Sequence, residues 1–118
     1  MKETVKVLKA RPVKGEGDVL QSAGEILALF HESRISRFLI HARHARCHST
    51  NSQMFFFANE SLRQMAFDSR IRVGMLVAPR DDSYDFLQLV CHNAGYQLRV
   101  FSEENSAMSW LLNDVSVN

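Results

Sequence analysis

The stretch that most constrains the fold runs from Arg70 to Phe101: RIRVGMLVAP, then RDDSYDFLQLVCHNAGY, then QLRVF. The first block is almost wholly apolar and β-favouring, so it reads as a strand over Ile71–Ala78 covered on both faces, and Pro79 stops it. The second block carries Phe86, Leu87, Val90, Cys91 and Ala94 at helical spacing. Asp81 or Asp82 is expected to cap that helix, and Gly95 is the residue expected just past its end. Leu98–Phe101 returns as a strand. A strand, a crossover helix and a second strand joined by short links imply parallel pairing.

The rest of the chain repeats this rhythm. Val5, Val7 and Leu8 among Lys6 and Lys9 suggest a half-exposed first strand ended by Arg11-Pro12. Residues 14–17 (KGEG) read as a loop, without the Gly-Lys-Ser/Thr ending of a phosphate-binding loop. Asp18 is the expected N-cap of a helix reaching about Glu32, with Val19, Leu20, Ala23, Ile26, Leu27 and Phe30 on one face. Arg37–His41 is a short central strand. A second helix is expected over 52–67, capped by Ser49, Thr50 or Asn51. Its expected buried face is Met54, Phe55, Ala58, Leu62, Met65 and Ala66, with Phe56 and Phe67 eleven residues apart on the opposite side. Ser102 with Glu103 and Glu104 opens a last helix through Trp110 and Leu112, and residues 114–118 read as a frayed tail. The expected class is α/β: four βα turns, a mainly parallel four-stranded sheet flanked by helices, forming one domain over residues 1–118.

Composition narrows the partners. A net charge of +1 over 118 residues argues against a dedicated nucleic-acid binder, which needs excess Lys and Arg to neutralise phosphates. Lysines interrupt the N-terminal apolar residues, so no signal-peptide core is read there, and no window suits a membrane span. Cys47 and Cys91 form no Cys-x-x-Cys pair and are read as reduced thiols of a cytoplasmic protein. No cofactor is expected.

In parallel sheets, sites gather where strands end and helices begin. That edge should hold residues 14–18, 43–51, 79–82 and 102–104. Arg43 and Arg46, with Ser49, Thr50 and the start of the second helix, could hold an anion opposite Asp81 and Asp82; the plainer reading has the arginines neutralising those aspartates. His41, His44, Cys47 and His48 are ligand-type residues, but no carboxylate lies nearby in sequence to support them, and the plainer reading is a polar loop. Cys47 beside His44 or His48 could be an activated thiol, yet no orienting acid is evident. Phe56 and Phe67, with Phe57, could form an aromatic contact surface. Alternatively, Met54, Phe57 and Met65 could line an apolar pocket.

RVGMLVAP (72–79), YDF (84–86), NAG (93–95), LRVF (98–101), SEE (102–104) and Ala107 with Trp110-Leu111 together resemble the SpoIIAA-like family, also called STAS/SEC14-like, over about residues 34–112. The resemblance implies a superhelix of four βα turns and a non-enzymatic regulatory or protein-interaction role, with a homodimer or another protein as partner. Its SEC14-like members suggest a small-molecule or lipid ligand instead. Some relatives are switched by phosphorylating a Ser or Thr at a helix start. Ser49 and Thr50 lie near that place, although CHSTN (47–51) stands where those relatives have an Asp-Ser-Ser-Gly-like turn.

Overall fold

The computed structural model describes residues 4–10 and 16–113. Four strands of five residues each, β1 (Val5–Lys9), β2 (Arg37–His41), β3 (Arg72–Leu76) and β4 (Gln97–Phe101), form one sheet in the order β1-β2-β3-β4. Every neighbouring pair is parallel. Helix α1 (Glu16–Ser33) joins β1 to β2, and α3 (Asp85–Asn93) joins β3 to β4. Between β2 and β3 lies α2, which opens as Asn51–Phe56, widens into a π-helical turn over Phe57–Ser61 and closes at Leu62–Gln64. Helix α4 (Glu104–Leu112) follows β4. The α/β class, the parallel sheet and the four flanking helices are those expected.

Strand order equals chain order, so each right-handed crossover steps the same way and α1, α2 and α3 fall on one face. The period-2 alternation of the strands agrees. Phe38, Ile40, Val73 and Met75 pack with Ala23, Ile26, Phe57, Leu62, Leu87 and Val90 on that face. Leu39 and Leu76, pointing the other way, pack with Ala107 and Leu111 of α4.

The helices differ from expectation at their ends. Glu16 and Gly17 belong to α1 rather than to a loop, so Asp18 lies within its first turn and is not its N-cap. Lys14 and Gly15, like residues 114–118 where the frayed tail was placed, lie outside the described residues. Helix α3 begins at Asp85 after an N-cap at Tyr84, so neither Asp81 nor Asp82 caps it. The Asp81 carboxylate instead accepts from Ser83 N at 2.9 Å and Ser83 Oγ at 2.6 Å, a side-chain turn that competes with helix initiation. Glu103, not Ser102, occupies the N-cap of α4.

The π turn shifts the register of α2. Phe57 is buried, whereas Phe55, expected inside, is 58% exposed beside Phe56 at 50%. The helix then ends in a Schellman turn: Ala66 adopts φ 55°, its N–H bonds Arg63 O, and Phe67 N–H bonds Leu62 O at 2.9 Å. Ala66 is exposed. Phe67 follows the left-handed residue, where an apolar side chain folds back on the helix. Phe67 is therefore partly buried against the core, whereas Phe56 is half exposed. Helix α3 ends in the same way, with Gly95 at φ 96° and Tyr96 N–H bonding Cys91 O at 2.9 Å. The two aromatic rings that follow these turns, Phe67 and Tyr96, meet edge to face at 6.0 Å.

Candidate functional site

Because the strand order never reverses, no two helices diverge at the carboxyl edge to open the crevice that α/β sheets use for ligands. The loops that follow β2 and β3 meet there and are tied together. Cys47 N donates to Ser83 Oγ at 2.9 Å, and Ser83 Oγ donates to Asp81 Oδ1. Arg46 Nη1 reaches the same carboxylate oxygen at 3.3 Å, with Asp82 at 3.8 Å from Nη2. Beneath them the Tyr84 hydroxyl donates to Ala45 O at 2.6 Å in a fully buried position. Burial first, then electrostatic coupling to Cys47 and Asp81, pushes the Tyr84 phenol well above its usual range, so it remains a donor.

The residues singled out for anion binding are thus brought to one edge but are already engaged. Arg46 neutralises Asp81 and Asp82, as the plainer reading has it; its side chain is 56% exposed, so the pair itself adds little stability. Arg43 donates to Ser102 O at 3.1 Å. Thr50 is the N-cap of α2, in a reciprocal box: its Oγ1 accepts from Gln53 N at 3.1 Å and its N donates to Gln53 Oε1 at 2.8 Å. Ser49 Oγ is buried with no hydrogen-bond partner. An anion here would have to displace existing bonds.

The histidine loop does not converge. His44 Nε2 lies 3.3 Å from Ala10 O, Cys47 is buried and His48 is exposed. No group of three His, Cys, Asp or Glu residues among the described residues could hold a metal ion.

An apolar space lies on the inner side of these tied loops. A cavity of about 100 Å³ runs between the sheet and the three crossover helices. Ala23 and Ile26 of α1, Phe57 of α2, Cys91 of α3, and Leu8 and Ile40 of the sheet form its wall. Cys47 and Tyr84 close it at the carboxyl end of the strands, and Phe67 and Tyr96 stand at the amino end. Ser22 and Glu25 of α1, with Lys9 and Gln97, supply polar groups around it. Burial pushes the Cys91 thiol up to about 12, so that wall is uncharged at neutral pH. Of the three residues proposed for a pocket, only Phe57 lines it; Met54 is buried in the core and Met65 is half-buried.

Sequence reasoning missed Ser83 and Tyr84. The aspartate two residues before Ser83 is a signature of the observed turn. The cavity had no such signal, because it depends on how far α1 stands from the sheet. Comparison with family models, curated proteins and solved structures finds no match to this chain.

Proposed function

We propose that this chain is a non-enzymatic regulatory domain that takes a small apolar ligand into the cavity and presents a protein-contact surface on α2. The observation that carries the reading is the two-sidedness of α2. Phe57 and Leu62 line the cavity, while Phe55 and Phe56, in the adjoining turn, are half or more exposed to solvent. Leu89, on α3, which packs against α2, is also 52% exposed. Apolar side chains grouped outside a core mark contact surfaces more often than isolated ones do. The π turn sits between the two sets, and such turns are frequent at functional sites. A ligand that reseats Phe57 would act on the same turn that sets the positions of Phe55 and Phe56. The reading keeps the regulatory role that the SpoIIAA-like resemblance implies and the apolar ligand that its SEC14-like members suggest, with Phe57 but neither Met54 nor Met65 in the cavity wall.

An apolar cavity of roughly 150 Å³ is known to stay dry and take up benzene, which sets the size class of ligand. Toluene titrated into ¹⁵N-labelled protein is the test. Amides of Ala23, Ile26, Phe57 and Cys91 should shift in a saturable way, with Phe55 and Phe56 moving and α4 unmoved. Shifts confined to the surface would remove the ligand. Light scattering of Phe56→Asp against the native chain addresses the outer surface, and equal monomeric mass in both would remove a homodimer built on it.

A further inference from the structure

The two edges of the sheet are not equivalent. Ala10 N–H donates to His41 O at 2.9 Å. Backbone groups alternate in direction along a strand, so Leu8 and Lys6 also face β2, and Val5, Val7 and Lys9 turn their N–H and C=O groups outward. No partner for these outward groups exists among the described residues. On the opposite edge, Val77 N–H donates to Phe101 O, so Val100 faces outward, and its N–H is taken by Gln88 Oε1 at 2.6 Å. One edge has an outward N–H taken by a side chain, and among the described residues the other is open from Val5 to Lys9.

The open edge carries two lysines. Lys6 and Lys9 flank Val7 on β1, both are exposed, and neither forms an ion pair among the described residues. The shallow groove beside Val7 is lined by Leu8, Lys9, His41 and His44, with no acidic residue in its wall. Val7 itself is 52% exposed.

We propose that β1 is a docking edge for an extended, acidic segment of a partner protein, which adds to the sheet as a fifth strand. The outward groups of Val5, Val7 and Lys9 offer three donors and three acceptors, which give affinity without sequence preference. Lys6 and Lys9 project from opposite faces of β1, so carboxylates three residues apart on the incoming strand meet them, and an apolar residue between covers Val7. A second copy of this chain fits the edge less well. Paired antiparallel about Val7, two copies would set Lys6 diagonally across from its own counterpart, and lysines on an edge strand are a common device against self-pairing.

The probe is a blocked, fluorophore-labelled peptide of repeating Glu-Val-Val, which sets carboxylates three residues apart and so on both faces, compared with its Lys-Val-Val counterpart by anisotropy on the full chain. The acidic peptide should bind, weaken as salt is raised, and protect the amides of Val5, Val7 and Lys9 from hydrogen exchange; the basic peptide should not bind. Val7→Pro removes the central outward donor and leaves the β2 bonds intact, so binding should fall about tenfold. The Lys6→Glu/Lys9→Glu double variant, which does not touch the backbone, should reverse the preference between the two peptides. Equal binding of both peptides, no binding of the acidic one, or an unchanged preference in the double variant would overturn the proposal. So would a concentration-dependent dimer that protects the same three amides without peptide, which would make a second copy the occupant.

Discussion

On one face of the sheet, α4 lies so close to β3 that a Cβ placed on Gly74 would meet three atoms of the Leu111 side chain at 3.4–3.8 Å. Its last carbonyls are held as well: Arg37 Nη1 donates to Leu111 O and Arg72 Nη1 to Asn113 O, each at 2.7 Å. The Arg72 and Arg99 guanidinium groups also lie 5.9 and 5.8 Å from the Trp110 ring centre. On the other face, three helices cover strands of the same length and register, and about 100 Å³ stays empty. A single helix over the middle strands can settle until its side chains touch. Three helices tied to successive crossovers cannot all do so, and α1, whose only buried side chains among the described residues are Ala23 and Ile26, is the one left standing off. A filled face and an unfilled face on one sheet separate scaffold from site.

The largest expected effect breaks the filled face. Leu111→Ala deletes a wholly buried side chain and should cost about 2–5 kcal/mol in urea unfolding, whereas Ile26→Ala, beside existing space, should fall at the low end of that range. Equal losses would erase the distinction. Growth should discriminate more cleanly than deletion. Ala107→Val on the α4 face should cost about 1–3 kcal/mol through overpacking, while Ala23→Val at the cavity wall should stay within about 0.5 kcal/mol. A smaller effect concerns the turn that delivers Phe67 to the cavity. Ala66 holds a left-handed conformation that a Cβ disfavours, so Ala66→Gly should stabilise by about 0.5–1 kcal/mol in the same assay.

The smallest effect is one of pH. Burial raises the folded Cys91 thiol to about 12 from an ordinary value of 9.0. The stability this contributes is present in full below pH 9.0 and is lost as pH rises from there toward about 12. Cys91→Ala should therefore show a shallower alkaline decline than the native chain, and identical slopes would place the thiol in water.

The fold was readable from residues 70–101 because a doubly covered strand, a proline stop and a glycine past a helix end leave few alternatives. The same reasoning failed where side chains compete with the backbone or the helix period changes. Asp81 and Asp82 look like caps, but Ser83 diverts the Asp81 carboxylate into a turn and delays α3 to Asp85. Helical spacing placed Phe55 inside and paired Phe56 with Phe67. One π turn and one left-handed residue undo both, and neither Phe57–Ser61 nor Ala66 carries a propensity that announces them. Arg46 and Asp81 were legible as opposite charges on one edge. That their loops are tied, so that the space lies underneath rather than between them, depends on the unreversed strand order and on Tyr84 reaching Ala45.

Scaffold and site are separable only if an accessible apolar cavity lies between α1 and the sheet. Xenon-pressurised crystals of the full chain test it most directly, since xenon occupies dry apolar space and ignores filled cores. A xenon peak should appear bounded by Ile26, Phe57 and Cys91, and none between α4 and the sheet. A peak under α4, or crystals that take up no xenon beneath α1, would contradict that separation.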